Sequence, residues 1–74
     1  MIPRKQIEKM ANNKSGHIQH FNGAIYEIAG FSKIKLNGTW CDVITYGSRD
    51  SGVFSRFSHD FKNFEVVKQP KPRA

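Results

Sequence analysis

Two histidines three residues apart, His17 and His20, are the first residues in this chain whose type and spacing could do chemistry. From one face of a helix, or from a tight loop, two imidazoles at that spacing can share a metal ion. On a strand the same spacing sends them to opposite faces, and no single ion can bridge them. Cys41 is the only cysteine, so no Cys-x-x-Cys pair exists to complete a metal site. A Cys41–His59 nucleophile pair would need the fold to bring both into a cleft. The adjacent His59-Asp60 in "FSHDF" reads more simply as a polar turn, with Ser58 or Asp60 capping a short helical turn. No Gly-rich phosphate loop and no GxSxG is present. The expectation is a non-enzymatic protein with no metal and no cofactor.

The elements that would carry these residues decide between the two histidine readings. "HIQHF" and "AIYEIA" flank Asn22-Gly23, and "SKIKL" and "TWCDVITY" flank Asn37-Gly38. Asn-Gly between alternating runs is the strongest short-range hairpin signal, because a type I′ turn needs positive φ at both central residues. "SRDSG" (48–52) marks a third turn before "VFSRF", and "SHD" breaks the chain before "FKNFEVV". Gly30 interrupts the long second strand as a bulge or corner. Ahead of the strands, Ile7, Met10 and Ala11 recur at helical spacing after Pro3, and "NNKSG" supplies a stop. The expected fold is mostly β: a small SH3-like five-stranded barrel over residues 17–67. A short N-terminal basic helix or arm (1–16) precedes it, and an extended basic, proline-containing tail (68–74) follows.

The 74 residues make one small domain with a thin stability margin, since a chain this short buries only about 60–65% of the surface that its unfolded form exposes. The lone thiol points to a reducing compartment. No apolar run reaches the roughly 18 residues of a membrane span, and the N-terminal segment lacks the apolar core of a signal peptide. A soluble, cytoplasmic protein with no membrane partner is expected. The net charge of +6 is carried at the ends. Residues 1–14 hold Arg4, Lys5, Lys9 and Lys14 against Glu8, and residues 68–74 hold Lys68, Lys71 and Arg73. Residues 15–67 balance five cations against five acids. Basic tails of this kind add non-specific attraction for phosphate or keep a small protein soluble.

Alternation assigns faces within the strands. Tyr26 and Ile28 share one face; Phe31, Lys33 and Lys35 oppose Ile34 and Leu36; Phe54 and Arg56 oppose Val53 and Phe57. In "TWCDVITY" the face of Cys41 and Val43 competes with that of Trp40, Ile44 and Tyr46. With Phe31, Trp40 and Phe54 outward beside Lys33, Lys35 and Arg56, the strands present an aromatic-basic patch. The competing reading is that so small a barrel cannot hide six phenylalanines, some of which rest under the helix.

The strand region resembles a small bacterial and phage family of unknown function. Its members read roughly HFKGxxYxV, then VVY, then VRPxxxFxExV. His20, Phe21, Gly23, Tyr26, Tyr46, Arg56, Phe61 and Val67 fall on its recurring positions, while Phe57 stands where proline is common and the HSETxE loop is missing. That resemblance implies an SH3-like barrel and leaves the function open. In length, composition and cationic ends the chain is also similar to host-takeover proteins of lytic phages, among them inhibitors of the bacterial DNA polymerase sliding clamp. The short clamp-binding peptide, a Gln followed by a Leu/Phe pair, is absent here, so such an inhibitor would use a folded surface.

The favoured expectation is therefore a phage-encoded, non-enzymatic inhibitor of host DNA replication that binds the sliding clamp in the infected cell. Phe31, Trp40 and Phe54 would anchor it, with Lys33, Lys35 and Arg56 around them and the basic tails speeding association. The alternative is a small nucleic-acid-binding barrel that uses the same patch and tails. The oligomeric state is open at this level.

Overall fold

A computed structural model describes residues 1–67. The expected basic tail, with Lys68, Lys71 and Arg73, lies outside the described residues. One helix, α1 (Arg4–Asn12), precedes five strands: β1 (His17–His20), β2 (Ile25–Leu36), β3 (Thr39–Ser48), β4 (Gly52–Phe57) and β5 (Phe64–Val67). All strand pairs are antiparallel, in the order β4-β3-β2-β1-β5. Among the described residues no helix is long and apolar enough to cross a membrane.

Helix α1 starts at Pro3, which takes the N-cap position one residue ahead of the first turn. Its stop is a Schellman arrangement: Ser15 N–H bonds the Met10 carbonyl and Lys14 N–H the Ala11 carbonyl, with Lys14 at φ 51° where glycine is usual. Ile7 and Ala11 are buried one turn apart, and Met10 packs beside them.

The two Asn-Gly turns differ. Asn37 and Gly38 have φ of 49° and 79°, and Leu36 pairs directly with Thr39, which is the two-residue type I′ hairpin. At Asn22-Gly23 only Gly23 has positive φ, and His20 N–H bonds the Ala24 carbonyl across a three-residue loop. This is the type I turn with a glycine in the left-handed position, not the type I′ turn that the dipeptide signals. The Asn22 side chain explains the choice: its Oδ1 accepts the Ala24 N–H at 2.9 Å, an Asx bond that holds Asn22 in the turn.

Gly30 lies at a bulge, as expected. Ile28 opposes Tyr46 and Gly30 opposes Thr45, so Ala29 has no partner on β3. Cross-strand partners share a face. The extra residue therefore puts the even positions Tyr26 and Ile28 on the same side as the odd positions Phe31, Lys33 and Lys35.

That side carries the core. Ile2, Ile7 and Ala11 pack on Ile18, Ile28, Ile44, Tyr46, Phe61 and Phe64, with Met10, Tyr26 and Phe31 at the margin. On β3 the competition of faces resolves for Ile44 and Tyr46, which are core residues, while Val43 is also buried on the reverse side. Phe61 sits in the β4–β5 connection, not on a strand, and plugs the core from there.

The sheet is strongly curled. Flat, its edge strands β4 and β5 would stand four spacings apart, about 19 Å. Here the Arg56 guanidinium lies 5.2 Å from the Phe64 ring centre, and Tyr46 and Phe64 rings are 5.8 Å apart. Side chains span the gap, but no ladder joins β4 to β5, so the sheet remains open there.

Candidate functional site

The register places all six expected patch residues on one side of the sheet. Phe31 opposes Ile44, Lys33 opposes Asp42 and Lys35 opposes Trp40, while Phe54 and Arg56 oppose Tyr46 and Ile44. That side is also the core side, so the expected outward patch divides in two. Phe31 stands at the division, half-buried against the core margin.

The first part is the outer half of the β2–β3 hairpin, which runs past the core as an arm. Trp40 is 63% exposed there, with Lys35 Nζ 5.8 Å from its ring centre. Ile34 and Leu36 are exposed on the reverse side of the same arm. Lys33 Nζ and Arg4 Nη2 both bind the Asp42 carboxylate, each at 3.0 Å, and Arg4 Nε also holds Glu8 at 3.0 Å. The pairing of Asp42 with Lys33 was not singled out from the sequence. The signal existed: a two-residue loop at Asn37-Gly38 sets Lys33 opposite Asp42.

The hydrogen bond from Lys33, and then that from Arg4, hold the Asp42 carboxyl below its ordinary value of 3.8. A depressed carboxyl stabilises the fold above the unfolded-chain value and loses that contribution as pH falls through the lower folded value. In an NMR titration Asp42 is expected to protonate below pH 3.8 and to move back up in Lys33→Ala. An Asp42 that titrates like a free aspartate would overturn the pairing. Because the cations are exposed, the effect on stability is small.

The second part, Phe54 and Arg56, lies against the body of the protein, with Phe54 still 41% exposed and Arg56 half-buried. Phe54, Tyr26 and Tyr46 meet edge-on or tilted at 5.2–5.9 Å between centres. Arg56 Nε donates to the Tyr46 hydroxyl at 3.0 Å, and its Nη1 bonds Asp60 at 2.8 Å. Tyr26, Tyr46, Phe54 and Arg56 line a groove of about 170 Å3 together with His20, Asn22 and Phe64. Phe54 and Arg56 are thus engaged by the body of the protein and do not stand free beside Trp40. Asp60 serves as the Arg56 counter-ion and does not cap a helical turn. The Ser58 hydroxyl is buried without a hydrogen-bond partner.

The remaining chemistry-bearing residues are occupied elsewhere. His20 Nδ1 accepts the Asn22 N–H at 3.2 Å, and its ring lies edge-on to Phe64. His59 stacks on Phe57 with ring centres 5.5 Å apart. Cys41 Sγ lies 3.7 Å from the Thr39 carbonyl. Among the described residues no three His, Cys, Asp or Glu side chains group to hold a metal. Of the basic N-terminal residues, Arg4 is paired, and Lys5, Lys9 and Lys14 are exposed. Comparison with protein-family models, curated proteins and solved structures finds no match to the chain.

Proposed function

We propose that this chain is a non-enzymatic protein-binding module that docks through the outer β2–β3 arm, with Trp40 as its anchor. The observation that carries this reading is a large aromatic held exposed on a paired strand, with apolar Ile34 and Leu36 exposed on the reverse face of the same arm. Exposed tryptophans on rigid elements are the residues most enriched among interface hot spots. Nucleic acid fits less well. Arg4, Lys33 and Arg56 already hold carboxylates, and a phosphate would have to displace them.

The finer reading of the fold is an SH3-like barrel. It is supported by the β4-β3-β2-β1-β5 order and by side chains that reach from β4 to β5. The finer reading of the function is a phage inhibitor that blocks host replication by occupying the sliding clamp. Support for it comes from the resemblance in length, composition and cationic ends, and with the linear clamp peptide absent the binding would fall to a folded surface such as the Trp40 arm.

Calorimetric titration of the purified bacterial clamp tests both levels. The chain is expected to bind, and Trp40→Ala to weaken binding about 30-fold or more, the loss of about 2 kcal/mol typical of a hot spot. No heat with the clamp removes that partner, and full affinity in Trp40→Ala removes the anchor. A gel shift in roughly 50 mM salt, where phosphate contacts are strongest, is expected to show no DNA retention. Retention there would move the reading to the nucleic-acid barrel.

A further inference from the structure

Strand β4 is an edge with none of the usual protections. Among the described residues no strand pairs with its outer side. It is six residues long, contains no proline, bulge, lysine or acid, and its one charge, Arg56, turns inward to Tyr46 and Asp60. The other edge is blunted: β5 has four residues, and Glu65 on it holds the N-terminal amine at 2.7 Å.

The hydrogen-bond phase of β4 follows from one contact. Ser58 N–H donates to the Asp42 carbonyl, and Ser58 lies opposite Asp42 in the register that pairs Ile44 with Arg56 and Tyr46 with Phe54. Bonded pairs alternate along an antiparallel ladder. Arg56 and Phe54 therefore bond β3, and the N–H and C=O groups of Val53 and Ser55, with the N–H of Phe57, point outward. The Phe57 carbonyl already accepts the Asp60 N–H.

We infer that this edge is where the chain pairs with a second copy of itself, antiparallel about a two-fold axis at Ser55. In that register Ser55 opposes Ser55 of the other copy, and their amides and carbonyls exchange two bonds. Each Phe57 N–H meets a Val53 carbonyl, which adds two more. The side chains agree with the backbone. Val53, 73% exposed in the single chain, lies opposite a Phe57, and Phe54 lies opposite an Arg56 whose charge is already held within its own copy. The two arginines sit diagonally, each with its own Asp60. No like charges stand opposed, and the paired copies form one ten-stranded sheet. A single ladder of this length belongs among the weak interfaces, so the dimer forms in the micromolar-to-millimolar range. The Trp40 arm is left free by this pairing.

Sedimentation velocity on the full chain, up to a concentration on the order of 1 mM, tests the inference. A monomer–dimer equilibrium is expected. Ser55→Pro removes an outward N–H that β3 does not use, so it should leave the circular dichroism and melting intact while abolishing the dimer. Val53→Lys, at an exposed position, should do the same by giving the bare edge the lysine that protects natural edge strands from pairing. In concentrated wild-type protein the Ser55 and Phe57 amides should exchange more slowly than in dilute protein. A wild-type chain that stays monomeric at the highest concentration overturns the inference. So does a dimer that survives Val53→Lys with the fold intact.

Discussion

Phe64→Ala is expected to abolish cooperative folding at ordinary temperature. Phe64 is 1% exposed, and its ring meets those of His20, Tyr26, Tyr46 and Phe61 as well as the Arg56 guanidinium. It is the residue on β5 to which β3 and β4 reach across the open side of the sheet. Truncating a buried phenylalanine costs about 3–5 kcal/mol, as lost transfer free energy plus the cavity left behind. A domain of 74 residues has only roughly 4–11 kcal/mol in total. The neighbours cannot collapse into the void, because the ring is held from several strands at once. A near-UV circular dichroism melt should show a sharp transition for the wild type and none, or one displaced far downward, for Phe64→Ala. Phe21→Ala is the control: Phe21 is 81% exposed and should change the melt little. A Phe64→Ala melt within a few degrees of the wild type would mean that the curl does not depend on this ring.

Ile7→Asp should have an effect of the same order by a different route. Ile7 is fully buried where α1 packs on β2 and β3, in the cluster that holds Ile28 and Ile44. An aspartate there must either bury an unpaired carboxylate, at several kcal/mol, or release the helix and expose that face to water. A nine-residue helix has little stability of its own, so release means unfolding of α1. Urea titration should give a midpoint well below the wild type, and a hydrophobic dye should bind. Lys5→Asp, at an exposed position on the same helix, should leave the midpoint nearly unchanged or raise it slightly through the helix dipole. If the two aspartates behave alike, α1 is an appendage and the sheet folds without it.

The strands and turns were legible because local residues dictate them. Asn37-Gly38 fixed a two-residue loop, Gly30 marked the bulge, and the 3.6-residue spacing of Ile7 and Ala11 marked the helix. Depth was less legible. Phe61 looked like the start of the last strand, because "FKNF" alternates like one; its burial comes from a loop folding over the sheet, which no local period reports. Phe54 and Arg56 shared a face with Trp40, as alternation says. Alternation is blind to curvature, however, and a curled sheet makes one face both core and surface along its length. The turn at Asn22-Gly23 was read from backbone preference alone, whereas the Asn22 side-chain bond to Ala24 selected the longer loop.

The unpaired Ala29 acts on β2 as a frameshift acts on a coding sequence. Everything downstream keeps its order, but each residue changes sides. The arm beyond it is therefore read in its own frame, independent of the one that builds the body. Adding residues in pairs on either side of Asn37-Gly38 would lengthen the arm without moving a core residue, and deleting Ala29 would remove the bulge while leaving Ile28 opposite Tyr46, Phe31 opposite Ile44 and Lys35 opposite Trp40. A single unpaired position thus marks where the residue count that builds the core ends and the one that builds the arm begins.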